Sequence, residues 1–164
     1  ISRRLVRFSR VGDEPRLRVA VDDAIEEALL VLRQDDLLTG IALDYAPDPS
    51  LTVVGNTGQI REIFLNLFVN AVQAMAGRGT LVIAPRDAGR MVEVLVSDTG
   101  PGVPAEVAHR IFEPFFTTKA SRNGTGLGLA ISTEIANEHV GTIALCAPAV
   151  RGASFRVALP KDLP

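Results

Sequence analysis

The apolar positions change period repeatedly along the chain, and each change marks an element. Leu17, Val19 and Val21 alternate as in a strand, and Asp23 with Glu26 then matches a capping box for a helix running to about Leu38 and closed by Gly40. Short strands follow at residues 41–45 and 51–54, around the Pro47 and Pro49 turn. Residues 57–76 carry the strongest helical period. Residues 81–84 and 92–96 alternate on either side of Asp87-Ala88-Gly89, which predicts a hairpin. From 99 to 125 the chain is punctuated by Gly and Pro and reads as a long connection with one short helix near residues 105–111, where Pro104 suits a first turn. A helix over 126–139 and a closing hairpin of 142–145 with 155–159 complete the order. This succession fits an α/β two-layer sandwich, a sheet covered on one face by helices. Residues 1–10, with Leu5 and Phe8 at helical spacing and Gly12 as a stop, read as the tail of a helix belonging to something upstream, so the domain proper is expected to span 13–164.

The helix at 57–76 has an unusual polar face. At about 100° per residue, Glu62, Asn66, Asn70 and Gln73 fall within one arc of about 80°, opposite Ile60, Ile63, Phe64, Leu67, Phe68, Ala71, Val72 and Met75. Asparagine is a poor interior helix residue, so a pair at i, i+4 asks for a reason. Taken alone it reads as a solvated stripe. Beside the motifs that follow, it reads as placing the carbonyl oxygen of Asn70, a hard donor, as a ligand for Mg²⁺.

Composition limits the alternatives. The 164 residues suffice for one domain, and 17 basic against 19 acidic residues give a net charge of -2, without the basic excess that nucleic-acid binding needs. A single cysteine, Cys146, excludes an internal disulfide or a multi-cysteine metal cluster and is read as a small core residue. Apolar runs are broken well short of a membrane span and no signal-peptide pattern is present, so this segment is expected in the cytoplasm without direct membrane contact, whether or not its parent is membrane-anchored.

The chemistry is concentrated in glycine-rich blocks. Asp98-Thr99-Gly100-Pro101-Gly102 ends an apolar run and lets backbone approach a flat ligand while one carboxylate reads its edge; alone, it would pass for a turn. Phe112-Glu113-Pro114-Phe115-Phe116-Thr117-Thr118-Lys119 follows, its phenylalanines read as packing residues. Gly124-Thr125-Gly126-Leu127-Gly128-Leu129 then opens a helix whose free N–H groups suit phosphates. Lys119 and Arg122 lie between the glycine clusters where phosphate is expected. Leu129 breaks the G-x-G-x-x-G pattern of dinucleotide folds, and neither a P-loop nor the protein-kinase H-R-D and D-F-G motifs occur.

With Asn66-Leu67-Phe68-Val69-Asn70 ahead of them, these blocks resemble, in order and spacing, the N, G1, F and G2 boxes of the catalytic ATP-binding domain of sensor histidine kinases, within the GHKL superfamily that also holds gyrase B and MutL. The resemblance covers roughly residues 15–160, and the wording of Asn70-Ala71-Val72-Gln73-Ala74-Met75 and of the Phe112 block is similar to the nitrogen-regulation and dicarboxylate-sensing subgroup. It implies a Bergerat fold, with a mixed, mostly antiparallel sheet under one layer of helices and a long ATP lid at 99–125. It implies ATP and Mg²⁺ as cofactors, with Asn70 on the metal, Asn66 supporting it from one turn earlier and Lys119 completing the catalytic set. Asp98 would accept from the adenine amino group, and Gly100 and Gly102 would admit the base. Gly124, Thr125, Gly126, Leu127 and Gly128 would meet the phosphates with Lys119 and Arg122, and Ser154 would assist at adenine.

Two departures carry information. Gln73 stands where many histidine kinases place a basic residue, and Asn66 stands where gyrase-type ATPases carry a water-activating glutamate, which favours transfer over hydrolysis. Neither His109 nor His139 has the context of a phosphoacceptor. The resemblance therefore implies a fragment whose partner is the dimerisation and histidine-phosphotransfer domain of its own parent, with a response regulator engaged indirectly. A stand-alone ATPase or serine kinase of the same superfamily, or a nucleotide-binding signalling module without catalysis, are the alternatives.

Overall fold

The computed structural model describes residues 15–117, 126–147 and 151–164. In chain order these form β1 (Leu17–Ala20), α1 (Val21–Gln34), β2 (Ile41–Tyr45), β3 (Thr52–Gly55), α2 (Thr57–Met75), β4 (Gly79–Ala88), β5 (Met91–Asp98), α3 (Gly128–Glu138), β6 (Thr142–Cys146) and β7 (Ser154–Pro160). A five-stranded sheet runs β2-β4-β5-β7-β6; β2 and β4 are parallel, and the other pairs are antiparallel. A separate antiparallel ribbon pairs β1 with β3.

Period-2 alternation decides which face of the sheet is covered. Val92, Val94 and Val96 of β5 and Phe155, Val157 and Leu159 of β7 point to the buried side, where they join Ile60, Ile63, Phe64, Leu67 and Phe68 of α2 in one core. Phe64 and Phe68, one turn apart, stack with centroids 5.9 Å from each other and rings 25° from parallel. Helix α2 packs on both α1 and α3, so the residues on its remaining polar arc lie at the rim of the helix layer. Asn56 starts it, its side chain accepting from Gln59 N at 2.9 Å, and Ala76 ends it in the left-handed conformation.

Several boundaries differ from the sequence expectation, each for a physical reason. Helix α1 starts at Val21, with Ala20 as an N-cap that lacks any side-chain bond; Asp23 lies inside the first turn and forms no capping box with Glu26. Neighbouring Asp22 instead accepts the Tyr45 hydroxyl at 2.5 Å, and burial beside that carboxylate pushes the Tyr45 phenol well above its ordinary range. The helix ends at Gln34 rather than Leu38, since Asp36 is left-handed. Residues 105–111 form successive turns rather than a helix, with Val107 N donating to Pro104 O, Arg110 N to Val107 O and Glu113 N to Arg110 O. Seven residues are too few to hold a helix without packing, and of them only Ile111 is buried. The pair expected to close the sheet forms, but β7 sits inside it against β5 and leaves β6 at the edge.

His139 is a structural residue at the C-terminal end of α3. It is 1% exposed; Nδ1 bonds the Ile135 carbonyl at 2.8 Å and Nε2 accepts the Asn56 backbone N–H at 3.1 Å. The ring thus joins the end of α3 to the start of α2, and only the neutral imidazole can do so. Burial accordingly holds its pKa below the ordinary 6.5. A depressed folded-state pKa means that this contribution is whole above the unfolded value and is lost as pH falls through the folded one. Thermal melts from pH 7.5 to 5 should therefore show stability declining on this account. In His139→Gln that part of the decline should vanish from a lower starting stability; an unchanged pH slope would show that His139 does not carry it.

Candidate functional site

A cavity of about 360 Å³ opens between α2 and the ends of β5 and β7, a size suited to a small ligand. Asn66, Asn70 and Gln73 form one wall, as their shared arc on α2 predicted. Val96, Asp98, Ala153 and Phe155 form the floor, because the buried rows of β5 and β7 run out here. Val103, Ile111, Phe116 and Thr117 cover it, and Gly126, Gly128 and Leu129 close the far end.

Asp98 is 7% exposed. Its Oδ1 accepts from Gly100 N at 2.8 Å and from Ala153 N at 3.4 Å, and its own N–H donates to the Ala153 carbonyl at 2.9 Å. The carboxylate is thereby fixed by backbone at the junction of β5 and β7. Glycines make that junction possible. Gly152 has φ +118, and a Cβ there would stand 1.8 Å from the Asp98 carbonyl oxygen; Gly102 has φ +82, and its Cβ would stand 2.9 Å from the Gly152 carbonyl. Gly100 is buried, its N–H on Asp98 and a Cβ there standing 3.0 Å from the Ala74 carbonyl oxygen, and it does not line the cavity.

At the opposite end, α3 begins without a side-chain cap, so its N-terminus presents partial positive charge beside the cavity. Gly126 has φ +69, which keeps it out of the helix expected from 126, and its carbonyl receives Phe115 N at 2.9 Å. A Cβ on Gly126 would stand 2.4 Å from the Phe115 backbone. The Phe block and the second glycine block are thus locked together. Their phenylalanines part company: Phe116 lines the cavity under the Arg110 guanidinium, 4.7 Å from the ring centroid, Phe112 meets Phe155 edge to face at 6.2 Å, and Phe115 is 70% exposed.

Besides Gly100, two expected positions lie away from the cavity wall. Leu127 sits at the α3 N-cap outside the lining. Ser154 faces the other side of the sheet, where its Oγ is 2.7 Å from that of Ser97, its register partner. The β-strand period explains this, since Ala153 and Phe155, the neighbours of Ser154, are the ones that face the cavity. Lys119, Arg122, Gly124 and Thr125 fall outside the described residues. Gly152, Ala153 and the apolar cover of Val103 and Ile111 were not singled out from sequence. Among the described residues no group of three or more His, Cys, Asp or Glu could hold a metal ion.

The sequence matches the family model described as histidine kinase-, DNA gyrase B-, and HSP90-like ATPase over residues 55–163. It is 36% identical over 144 residues to the sensor histidine kinase ZraS of Klebsiella oxytoca, covering 87% of this chain and 31% of that protein. It is 34% identical to the C4-dicarboxylate transport sensor protein DctB of Rhizobium meliloti (strain 1021), covering 98% of this chain and 26% of that protein. The chain thus spans under a third of the length of these relatives. Among solved structures, the catalytic domain of histidine kinase ThkA superposes with a TM-score of 0.78 at 29% identity, over 90% of this chain and 97% of that one. By sequence and by fold, the chain belongs to the histidine kinase-, DNA gyrase B- and HSP90-like ATPase family.

Proposed function

We propose that this chain binds Mg-ATP in the cavity and transfers the γ-phosphoryl group to a histidine on the dimerisation domain of its parent protein, as one step of two-component signalling through a response regulator. The observation that carries this reading is the joint placement of a buried acceptor, Asp98, at one end of a single cavity and the N-terminus of α3 at the other, with the three amide side chains of Asn66, Asn70 and Gln73 between them. Asp98 suits the adenine amino donor, and Gly126 and Gly128 with the N-terminus of α3 suit the phosphates. Lys119, Arg122, Gly124 and Thr125 would add contacts there.

The amide oxygens of Asn70 and Asn66 fit Mg²⁺, which takes few protein ligands besides phosphate and water. When bound, the ion would neutralise charge on the phosphates. The chain's own contribution is then positioning and exclusion of water: apolar Val103, Ile111 and Phe116 close over the ligand, and no carboxylate occupies position 66 to activate water. His139 cannot serve as the acceptor because both ring nitrogens are bonded in the core. Residues 1–12, expected from the sequence to be the tail of the preceding dimerisation helix and its linker, lie outside the described residues. No helix among the described residues is long and apolar enough to cross a membrane, so any anchoring would come from other parts of the parent.

Incubated with γ-labelled ATP, the chain should neither label itself nor turn over quickly, yet should label a supplied parental dimerisation domain on histidine, as an acid-labile, alkali-stable bond. Asn70→Ala should abolish that transfer while leaving the melting temperature near wild type. Fast hydrolysis by the chain alone, lost in Asn70→Ala, would replace this reading with a gyrase-like ATPase.

A further inference from the structure

Ser132 lies on α3 and is completely buried, and it does not line the cavity. Its hydroxyl oxygen receives Nδ2 of Asn66 at 3.1 Å, and the Gly128 carbonyl receives the same nitrogen at 3.2 Å. An amide carries two protons at one end and an oxygen at the other. With both protons directed at α3, the end left for the cavity is Oδ1. The reverse orientation would set Oδ1 against the Gly128 carbonyl, acceptor facing acceptor, and turn the NH₂ group toward the ligand. The Gly128 carbonyl therefore selects the orientation, and Ser132 secures it by taking the second proton of a 7% exposed amide that has little water to turn to.

We propose that Ser132 is a positioning residue for the site: it holds Asn66 with its oxygen, rather than its amino group, toward the ligand. The consequence rests on the Mg-ATP reading above. An oxygen aimed into the cavity suits a hard cation or the water around it, whereas an amino group there would suit a bare phosphate oxygen. Ser132 thus acts on the metal-dependent part of nucleotide affinity from a position that touches neither metal nor nucleotide. Sequence periodicity could not single it out, because its partner is 66 residues away on another helix.

The test follows the Asn66 side-chain amide by ¹⁵N–¹H NMR in the 164-residue chain, the signal being assigned by its disappearance in Asn66→Asp. Wild type should show two slowly exchanging Nδ2 protons, and Ser132→Ala should release one of them. Calorimetric titration should show Mg-ADP binding weakened about tenfold in Ser132→Ala, with Mg-free ADP affinity within about twofold of wild type. Ser132→Cys, close in volume but a weak acceptor, should reproduce the loss without leaving a gap. In an Asn66→Ala background, removing the Ser132 hydroxyl should cost nothing further, whereas a serine that only stabilised α3 would cost the same in both backgrounds. Unchanged Asn66 exchange in a folded Ser132→Ala chain, or additive losses in the double variant, would overturn the proposal. A wild-type chain that bound no nucleotide would instead refute the reading of the cavity, and the exchange of the Asn66 amide would still decide the role of Ser132.

Discussion

Asp98→Asn should weaken ATP binding roughly 30- to 150-fold, corresponding to about 2–3 kcal/mol, and should erase the preference for adenine over guanine. The geometry dictates the sign. Two backbone donors, Gly100 N and Ala153 N, converge on Oδ1, so an asparagine placed there must give them its single oxygen and present NH₂ at the other position. On the proposed reading of the cavity, that NH₂ would face the adenine amino group as donor against donor. With guanine, whose carbonyl would take that place, the wild-type carboxylate would meet an acceptor unfavourably, while the asparagine variant would gain a bond. Titrating ATP and GTP into both proteins checks the exchange. Undiminished ATP affinity in the variant would remove Asp98 from base recognition.

The substitution is also expected to leave the fold nearly intact, because the two backbone bonds survive with a neutral acceptor. A melting temperature close to wild type would therefore separate loss of recognition from loss of structure. Asp98→Ala, which strands both donors at a buried strand end, should cost affinity and about 1–3 kcal/mol of stability together.

How much of this was readable in the sequence depends on the range of the physics involved. The Asn66–Asn70–Gln73 wall was legible because helical period alone puts those positions on one arc, and the structure lines the cavity with all three. The hairpin at Asp87-Ala88-Gly89 was legible because its turn is local: Gly89 N bonds Asp87 Oδ1 at 2.9 Å and Gly89 has φ +77. The apparent capping box failed for a long-range reason, since β1 runs directly into α1 and the buried carboxylate there, Asp22, is claimed by Tyr45 from β2. Ser154 was misplaced on the sheet because a strand hydroxyl can face either side, and only the β5–β7 register decides which. His139 and Ser132 carry no local signature, because each acts through a partner on a distant element.

Gly152→Ala should have the largest effect on the molecule as a whole. The residue precedes β7 at φ +118, where a side chain is strained in any surroundings, and its Cβ would fall 1.8 Å from the Asp98 carbonyl oxygen and 2.7 Å from the carbonyl carbon. Both neighbours are backbone, so neither can rotate away; β7 or the end of β5 must move. Gly89→Ala is the natural control, since at φ +77 it meets nothing within 4 Å and should cost only the left-handed penalty of about 1–2 kcal/mol. Gly152→Ala should cost about 3 kcal/mol or more, the sum of strain and forced displacement. Because the displaced segment carries Ala153, whose N–H helps fix Asp98, nucleotide affinity should fall in whatever fraction remains folded. Chemical denaturation of both variants, with ATP titration at a temperature where each is folded, distinguishes the two terms. Equal losses of stability in both variants, with wild-type ATP affinity in Gly152→Ala, would show that the close approach of Gly152 to Asp98 does not set the geometry of the site.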